Sequence, residues 1–457
     1  MEKKGYGVLP FNIKRIGNAY LVSTKFGGWC FVDDNEQRQI LKNKISKELE
    51  QKLRKNRIIV DENNIKEVID KYRKLNINMF TGPSLHIVAV TSRCNHNCIY
   101  CHADSPNTAN KDMDKETAIK VLDFIFKANT QIINIEFQGG EPLLNFDIVK
   151  FIVEQAEEIN KIEKKKLSFS IATNMTLFND KVMDFVKEHK IVVSTSLDGP
   201  ETLHNINRPY LDGSGSYNDV VRWIKKLKKN DVFVGALPTI TKYSLKQAEE
   251  IVNEYVKLGI EEIYLRPLNY LGAAKENWDK IGYSAEEFIR FWKTSFEYVL
   301  ALNKKGIKIK ERRARSFLKK ILKSEDAMDT EMMSPCGAGR SQLLYDYDGA
   351  IYTCDEGRML KEDLFMLGNV NKNSFEEVMG NENLVNVCNA SIIDNYCQTC
   401  VFNPWCSTCP VLNYSTQGSV VPRIRETFKC KMNMAVFSFL FEILQNTEKR
   451  KIVENWL

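Results

Sequence analysis

The sequence predicts an α/β fold: a parallel sheet built from repeated strand–helix units, with a small module before it and a cysteine-rich region after it. Three observations carry this prediction. Between about Ser84 and Pro267, six apolar, β-rich runs alternate with amphipathic stretches, the pattern of βαβ units around a parallel sheet. The first 78 residues do not share that alternation. Eleven of the twelve cysteines lie from Cys94 onward, most of them in short clusters.

In the first region, Tyr20–Thr24 and Gly28–Val32 read as a strand pair, and Lys42–Lys55 and Ile65–Leu75 as helices. Residues 1–78 would then form a small three-stranded, winged-helix-like module, or equally a capping extension. The expected strands of the middle region are Leu85–Val90, Ile132–Phe137, Leu167–Ile171, Ile191–Ser196, Val232–Leu237 and Ile260–Leu265. Between them, Glu116–Lys127, Phe146–Ile159, Lys181–Glu188, Asp219–Lys228 and Leu245–Leu258 are amphipathic. Right-handed crossovers would curl such units into an open barrel or a doubly wound sheet. Ligands gather at the C-terminal strand ends of either. The last region, from about Met332, closes with an amphipathic helix near Met432–Gln445.

A chain of 457 residues suits two or three domains at ~100–200 residues each. Hydrophobic residues at 43% and charged residues at 27% exclude a disordered or low-complexity scaffold. A net charge of +6, with 65 basic and 59 acidic residues scattered along the chain, argues against a nucleic-acid partner. No apolar run reaches the ~20 residues of a membrane span, and Met-Glu-Lys-Lys-Gly-Tyr-Gly lacks a signal-peptide core. A cytoplasmic protein with no membrane partner is the expectation. A reducing compartment keeps thiols free, so the cysteines need a role other than disulfides.

The first strand runs into Thr91-Ser92-Arg93-Cys94-Asn95-His96-Asn97-Cys98-Ile99-Tyr100-Cys101-His102. Three thiolates at this spacing can hold three corners of a cubane cluster and leave one iron without a protein ligand. Zinc with His96 or His102 as fourth ligand competes, on a spacing unlike the common zinc motifs. After the second strand comes Gln138-Gly139-Gly140-Glu141-Pro142. Two glycines let backbone approach a ligand closely, and a carboxylate can pair with an ammonium.

Cys94-x3-Cys98-x2-Cys101 with Tyr100 inside it resembles the signature of radical SAM enzymes, and Gly139-Gly140-Glu141-Pro142 resembles that superfamily's GGEP motif. The resemblance covers residues 84–267 and implies a partial (β/α)6 barrel. It also implies a [4Fe–4S] cluster on Cys94, Cys98 and Cys101, with S-adenosyl-L-methionine (SAM) held by its amino group at the GGEP turn. Ala172-Thr173-Asn174, Ser196-Leu197-Asp198-Gly199-Pro200 and His204-Asn205-x-Asn207-Arg208 follow in the family's order. By motif position Ser196 and Arg208 would contact SAM; Tyr100, Asn174 and Asp198 complete the cofactor-binding set. A loop-capping hydroxyl for Ser196 and a surface salt bridge for Arg208 are the plainer alternatives.

Cys336-x12-Gly349-x4-Cys354, then Cys397-x2-Cys400-x5-Cys406-x2-Cys409 and Cys430 resemble the SPASM domain, which binds two auxiliary [4Fe–4S] clusters. One departure is that Ser407-Thr408 supplies two residues where the usual pattern has three. A zinc ribbon would explain the central four cysteines and leave Cys336, Cys354 and Cys430 without a role. The family's order assigns Cys397, Cys400, Cys406 and Cys430 to the outer cluster and Cys336, Cys354 and Cys409 to the inner one. Either Cys388 completes the inner cluster or that cluster has an open iron; Cys30 is an inert thiol. Asp355, directly after Cys354, matches a base on the substrate in sulfatase-maturating relatives, or is a surface carboxylate.

Leu9-Pro10-Phe11, Leu85-His86-Ile87-Val88, the run Phe137–Asp147 and Asp355-Glu356-Gly357-Arg358-Met359 resemble the maturases of His-Xaa-Ser-type systems and the thioether (ranthipeptide) or cyclophane makers. The domains would be a peptide-recognition module at 1–78, a radical SAM core at 79–315 and a SPASM domain at 316–457. The implied activity is an oxidoreductase that modifies a ribosomal precursor peptide, leader and core. A 5′-deoxyadenosyl radical abstracts hydrogen and a crosslink forms, a cysteine thioether being favoured. A low-potential donor such as ferredoxin or flavodoxin would supply electrons. The alternatives are a cyclophane-forming maturase, a formylglycine-forming sulfatase-maturating enzyme, and a non-enzymatic zinc- or cluster-binding scaffold.

Overall fold

The computed structural model describes residues 7–79, 82–103, 111–326 and 329–457. The first region opens with an antiparallel meander of β1 (Phe11–Ile16), β2 (Ala19–Thr24) and β3 (Trp29–Val32). Helices Asp34–Leu41, Lys47–Lys55 and Ile65–Leu75 follow. The first begins at a reciprocal cap between Asp33 and Glu36, a signal the sequence reading passed over. Val22, Val32, Ile40, Leu49, Leu53 and Ile59 form a small core of the region's own, with Cys30 inside it. Burial pushes the Cys30 thiol up to about 12, so it is a packed, unreactive group.

This module docks on the C-terminal region through named contacts. Ser23 donates to the Val401 carbonyl at 2.5 Å, and Asn12 donates to the carbonyls of Gln398 and Cys400. Trp29 donates its ring N–H to the Ile321 carbonyl at 3.1 Å and meets Phe441 edge-on at 5.2 Å.

The middle region carries β4 (Leu85–Ala89), β5 (Ile132–Gln138), β6 (Lys166–Thr173), β7 (Val192–Ser196) and β8 (Val234–Leu237), all parallel. The expected parallel α/β sheet is therefore present. Its sixth strand differs from the expected continuous run Ile260–Leu265. The chain there makes two short pairings instead, Glu262–Ile263 with Lys310–Glu311 and Arg266–Pro267 with Thr239–Ile240. At the other edge the C-terminal region adds β9 (Gln342–Tyr345) parallel to β4, followed by β10 (Ala350–Tyr352) and β11 (Met366–Asn369). The eight strands run β8-β7-β6-β5-β4-β9-β10-β11.

Alternation along the strands separates two faces. Ile133, Ile135, Phe137, Phe169, Ile171 and Val193 are buried, on the face covered by helices such as Lys115–Lys127 and Phe146–Glu163. The opposite face is half-buried and small or polar: Asn134, Glu136 and Gln138 on β5, Ala172 on β6, Ser194 and Ser196 on β7. A filled barrel puts bulky branched residues there; this sheet keeps an open, polar lumen. The 20-residue helix Ala285–Lys304 starts at a Ser284/Glu287 capping box and packs Trp292 and Phe296 against Phe439. Among the described residues, no helix is long and apolar enough to cross a membrane.

Replacing Trp29 removes both a hydrogen bond and an aromatic contact at the module's seat. Trp29→Ala should weaken docking by about 3 kcal/mol, read as faster proteolytic release of the first region. An unchanged cleavage rate would place the docking energy elsewhere.

Candidate active site and three cysteine-lined cavities

The cysteine loop after β4 is tied to the turn after β5. Gly140 donates to the Thr91 carbonyl at 2.9 Å, and Glu141 N–H to the Arg93 carbonyl at 2.7 Å. Gly139 has φ +145°, and a Cβ there would lie 2.3 Å from the Thr91 oxygen, so only glycine fits. Gly272, at φ +52°, packs equally close to the carbonyls of Cys101 and His102.

Cys94, Cys98 and Cys101 line a cavity of about 220 Å³ at the C-terminal strand ends, with Gly139, Gly140, Asn174, Ser196 and Arg208. Tyr100 also lines it and donates to Asp198 at 2.5 Å. Arg208 pairs with the same carboxylate at 3.3 Å and sits 5.0 Å over the Tyr100 ring. Burial opposes the Arg208 charge, but Tyr100, Asp198 and Cys98 outweigh it and raise its pKa. Asp198 is fully buried and also accepts from Thr239 N–H. It therefore positions Tyr100 and Arg208 and does not line the cavity.

Glu141 and Pro142 are buried and are likewise not among the residues that line the cavity. The Glu141 carboxylate accepts from Thr173 Oγ1 and Asn174 N–H, each at 2.7 Å, and from Leu143 N–H. Burial raises it to about 7 against those bonds. Asn174 passes the connection on by donating to Asn95 at 2.8 Å.

Asp355 reaches this cavity from the C-terminal region. Its carboxylate lies 3.5 Å from His102 Nε2, and its other oxygen is buried without a hydrogen-bond partner. His102 also lines the cavity, and burial lowers its pKa while Asp355 opposes the shift. Sequence reasoning weighed His102 only as a zinc ligand. It missed the pairing because 253 positions separate the two residues.

Two further cavities hold the remaining clustered cysteines. Cys336, Cys354 and Cys409 line one of about 350 Å³; Cys397, Cys400, Cys406 and Cys430 line one of about 470 Å³ beside the first region. The inner cavity and the Cys94 cavity share the wall Pro267–Asn269. Burial is the main cause that raises these thiols, Cys336 and Cys406 to about 11 and Cys94, Cys397 and Cys409 to about 12. Thiols within a set also raise one another: Cys101 acts on Cys94, Cys409 on Cys354, and Cys430 on Cys397. A bound cationic centre would reverse both effects.

Among the described residues, no three Cys, His, Asp or Glu side chains converge closely enough for a single metal ion. Sets of three and four thiols are the donors that a polynuclear iron–sulfur cluster takes. Cys388 is buried, donates its S–H to the Cys336 carbonyl at 2.9 Å, and is not part of the inner cavity's wall.

Gly139→Ala tests the clamp between the two loops. Strain at that φ and the contact with Thr91 should cost at least about 2 kcal/mol, lowering the thermal midpoint. An unchanged midpoint would show that the turn can move without consequence.

Residues 88–255 match the family model of the Radical SAM superfamily. An uncharacterized protein of Methanocaldococcus jannaschii is 37% identical over 40% of this chain and 63% of its own length. The radical SAM cyclopropyl synthase TigE of Paramaledivibacter caminithermalis is 26% identical over 47% and 46%. The chain thus spans less than two thirds of both relatives. A cysteine-type anaerobic sulfatase-maturating enzyme of Clostridium perfringens is 26% identical over 65% of this chain and 79% of its own. Among solved structures, anSMEcpe with bound AdoMet and the Kp18Cys peptide superposes with TM-score 0.69, 21% identity, and coverage of 80% and 100%. SuiB of Streptococcus suis bound to precursor peptide SuiA gives 0.59 at 15% identity, covering 92% and 98%. The chain therefore carries a radical SAM domain of α/β fold, with relatives that include a sulfatase-maturating enzyme and a cyclopropyl synthase.

Proposed function

We propose that the protein is a radical SAM enzyme that modifies a ribosomally made precursor peptide and closes a thioether at one of its cysteines. The observation that carries this is the wall Pro267–Asn269 shared by the Cys94 cavity and the inner cysteine cavity. That shared wall supports a reading in which SAM binds beside a substrate sulfur. When bound, a [4Fe–4S] cluster and SAM would supply the 5′-deoxyadenosyl radical that removes hydrogen from an unactivated carbon; the new C–S bond replaces the cysteine S–H bond, its proton passing to solvent and the surplus electron to a low-potential redox protein. The chain's part is to orient SAM and the peptide and to keep water out.

Arg208, fixed by Asp198 and Tyr100, presents a permanent cation to the SAM cavity, and Ser196 and Asn174 present neutral polar groups. Glu141 acts by holding the ends of β5 and β6 together. The inner cavity offers three thiols, since Cys388 is turned to the Cys336 carbonyl. Cys336, Cys354 and Cys409 would hold a four-iron cluster through three thiolates, and its fourth ligand would then come from a substrate cysteine. Residues 1–78 would seat the leader by strand addition, ahead of a core at 79–315 and a SPASM domain at 316–457. Two solved neighbours were obtained with peptides bound, Kp18Cys and SuiA, which supports a peptide substrate here.

The pairing of Asp355 with His102 in the SAM cavity favours a second reading, oxidation of Cys or Ser to formylglycine with Asp355 taking the proton. One experiment separates the two. The anaerobically reconstituted enzyme is incubated with SAM, a reductant and synthetic cysteine-containing peptides, and the product is weighed. A thioether product loses two hydrogens, keeps its sulfur and resists alkylation; loss of the cysteine sulfur selects formylglycine. Cys388→Ala should keep full iron and crosslinking, whereas Cys409→Ala should lose about four irons and the crosslink. Equal iron loss in both variants would make Cys388 a ligand.

A further inference from the structure

The lumen beneath the SAM cavity contains a carboxylate that the chemistry above does not use. A cavity of about 1040 Å³ runs along β5 to β8, its wall including Asn134, Glu136, Ser168, Ser170 and Ser194. It meets the SAM cavity at Ser194 and Leu237, which line both. A substrate side chain below the reacting carbon would lie in this space.

Glu136 stands in the middle of β5, beside Ser170 in the parallel register. Its partners are neutral: Gln138 Nε2 donates at 2.6 Å and Ser170 Oγ at 3.3 Å. Among the described residues, no Lys, Arg or His lies within ion-pair distance of it. Arg312 shares the lumen but is paired with Asp329 at 3.5 Å. Burial, with a smaller push from Asp355, raises the Glu136 carboxyl, while the two hydrogen bonds and the more distant Arg312 charge oppose the shift. A half-buried carboxylate without an ion-pair partner is costly; Lys228, Lys310 and Arg315 also line the cavity, but Arg315 pairs with Glu262 at 2.8 Å and Lys228 donates to the Leu258 carbonyl.

We propose that Glu136 is a specificity residue that takes a basic group, a lysine or arginine side chain, of a polypeptide substrate seated in the lumen. This deepens the peptide reading and rests on it. A charge-assisted hydrogen bond in a half-dry site is among the stronger polar contacts. Its removal on one side typically weakens binding tenfold or more.

The test uses immobilised, reconstituted holoenzyme with SAM under anaerobic conditions. The probe is a library of synthetic hexapeptides carrying one cysteine and one variable position. Wild type should retain Lys and Arg members about tenfold over their norleucine and citrulline counterparts. Glu136→Gln, nearly the same shape, should lose that preference and retain the uncharged members as before. Glu136→Lys should prefer Asp and Glu members. If Glu136→Gln keeps the preference for Lys and Arg, Glu136 is not the recognising group, and the peptide reading stands. If wild type retains no member above a cysteine-free control, the peptide reading fails and this proposal with it.

Discussion

A ring of hydrogen bonds around the C-terminal strand ends sets the geometry on which everything else rests. Thr91 and Arg93 accept from Gly140 and Glu141, Glu141 accepts from Thr173 and Asn174, and Asn174 donates to Asn95 in the cysteine loop. The ring returns to its starting loop, so the first three strand ends cannot shift independently. Its tightest point, Thr91 against Gly139, has no room for a Cβ. Cys94, Cys98 and Cys101 are therefore presented by backbone that is held on both sides before any cofactor arrives.

A second network joins this frame to the C-terminal region. Glu331 accepts from Tyr264 at 2.7 Å and Arg266 at 3.1 Å, and Arg313 lies 3.8 Å away. The Glu331 backbone carbonyl accepts from Ser407 and from Lys429, neighbours of Cys406 and Cys430. Those two cations and Lys429 outweigh burial and hold the Glu331 carboxyl down at about 2. Buried charge of this kind specifies an arrangement more than it adds stability. Here it links the sheet to the loops that carry Cys406 and Cys430, and β9 adds a direct sheet connection to β4.

Much of the sheet was legible from the chain because strands and helices there differ in period. Ile132–Phe137 and Leu167–Ile171 carry both the apolar runs and the turn signals of buried strands, and the observed β5 and β6 contain them. The Cys94, Cys98 and Cys101 set was legible from its spacing, whereas the division of the C-terminal cysteines into two sets came from the family resemblance. What stayed hidden depends on distant pairing: β9 joining β4, Asp355 meeting His102, and Glu331 gathering Arg266 and Arg313. Ile260–Leu265 misled because an apolar run says nothing about where its hydrogen bonds go; Tyr264 and Leu265 fall between the two short pairings. Glu141 shows the same limit at the site, since its motif marks the turn but not the direction of its carboxylate.

The most direct test of this account is the iron and acid-labile sulfide bound per chain after anaerobic reconstitution, with zinc measured alongside. Three cysteine sets of the cubane type predict about twelve irons with matching sulfide and no stoichiometric zinc. Stoichiometric zinc that resists iron loading, with iron well below that level, would contradict the assignment of all three cavities.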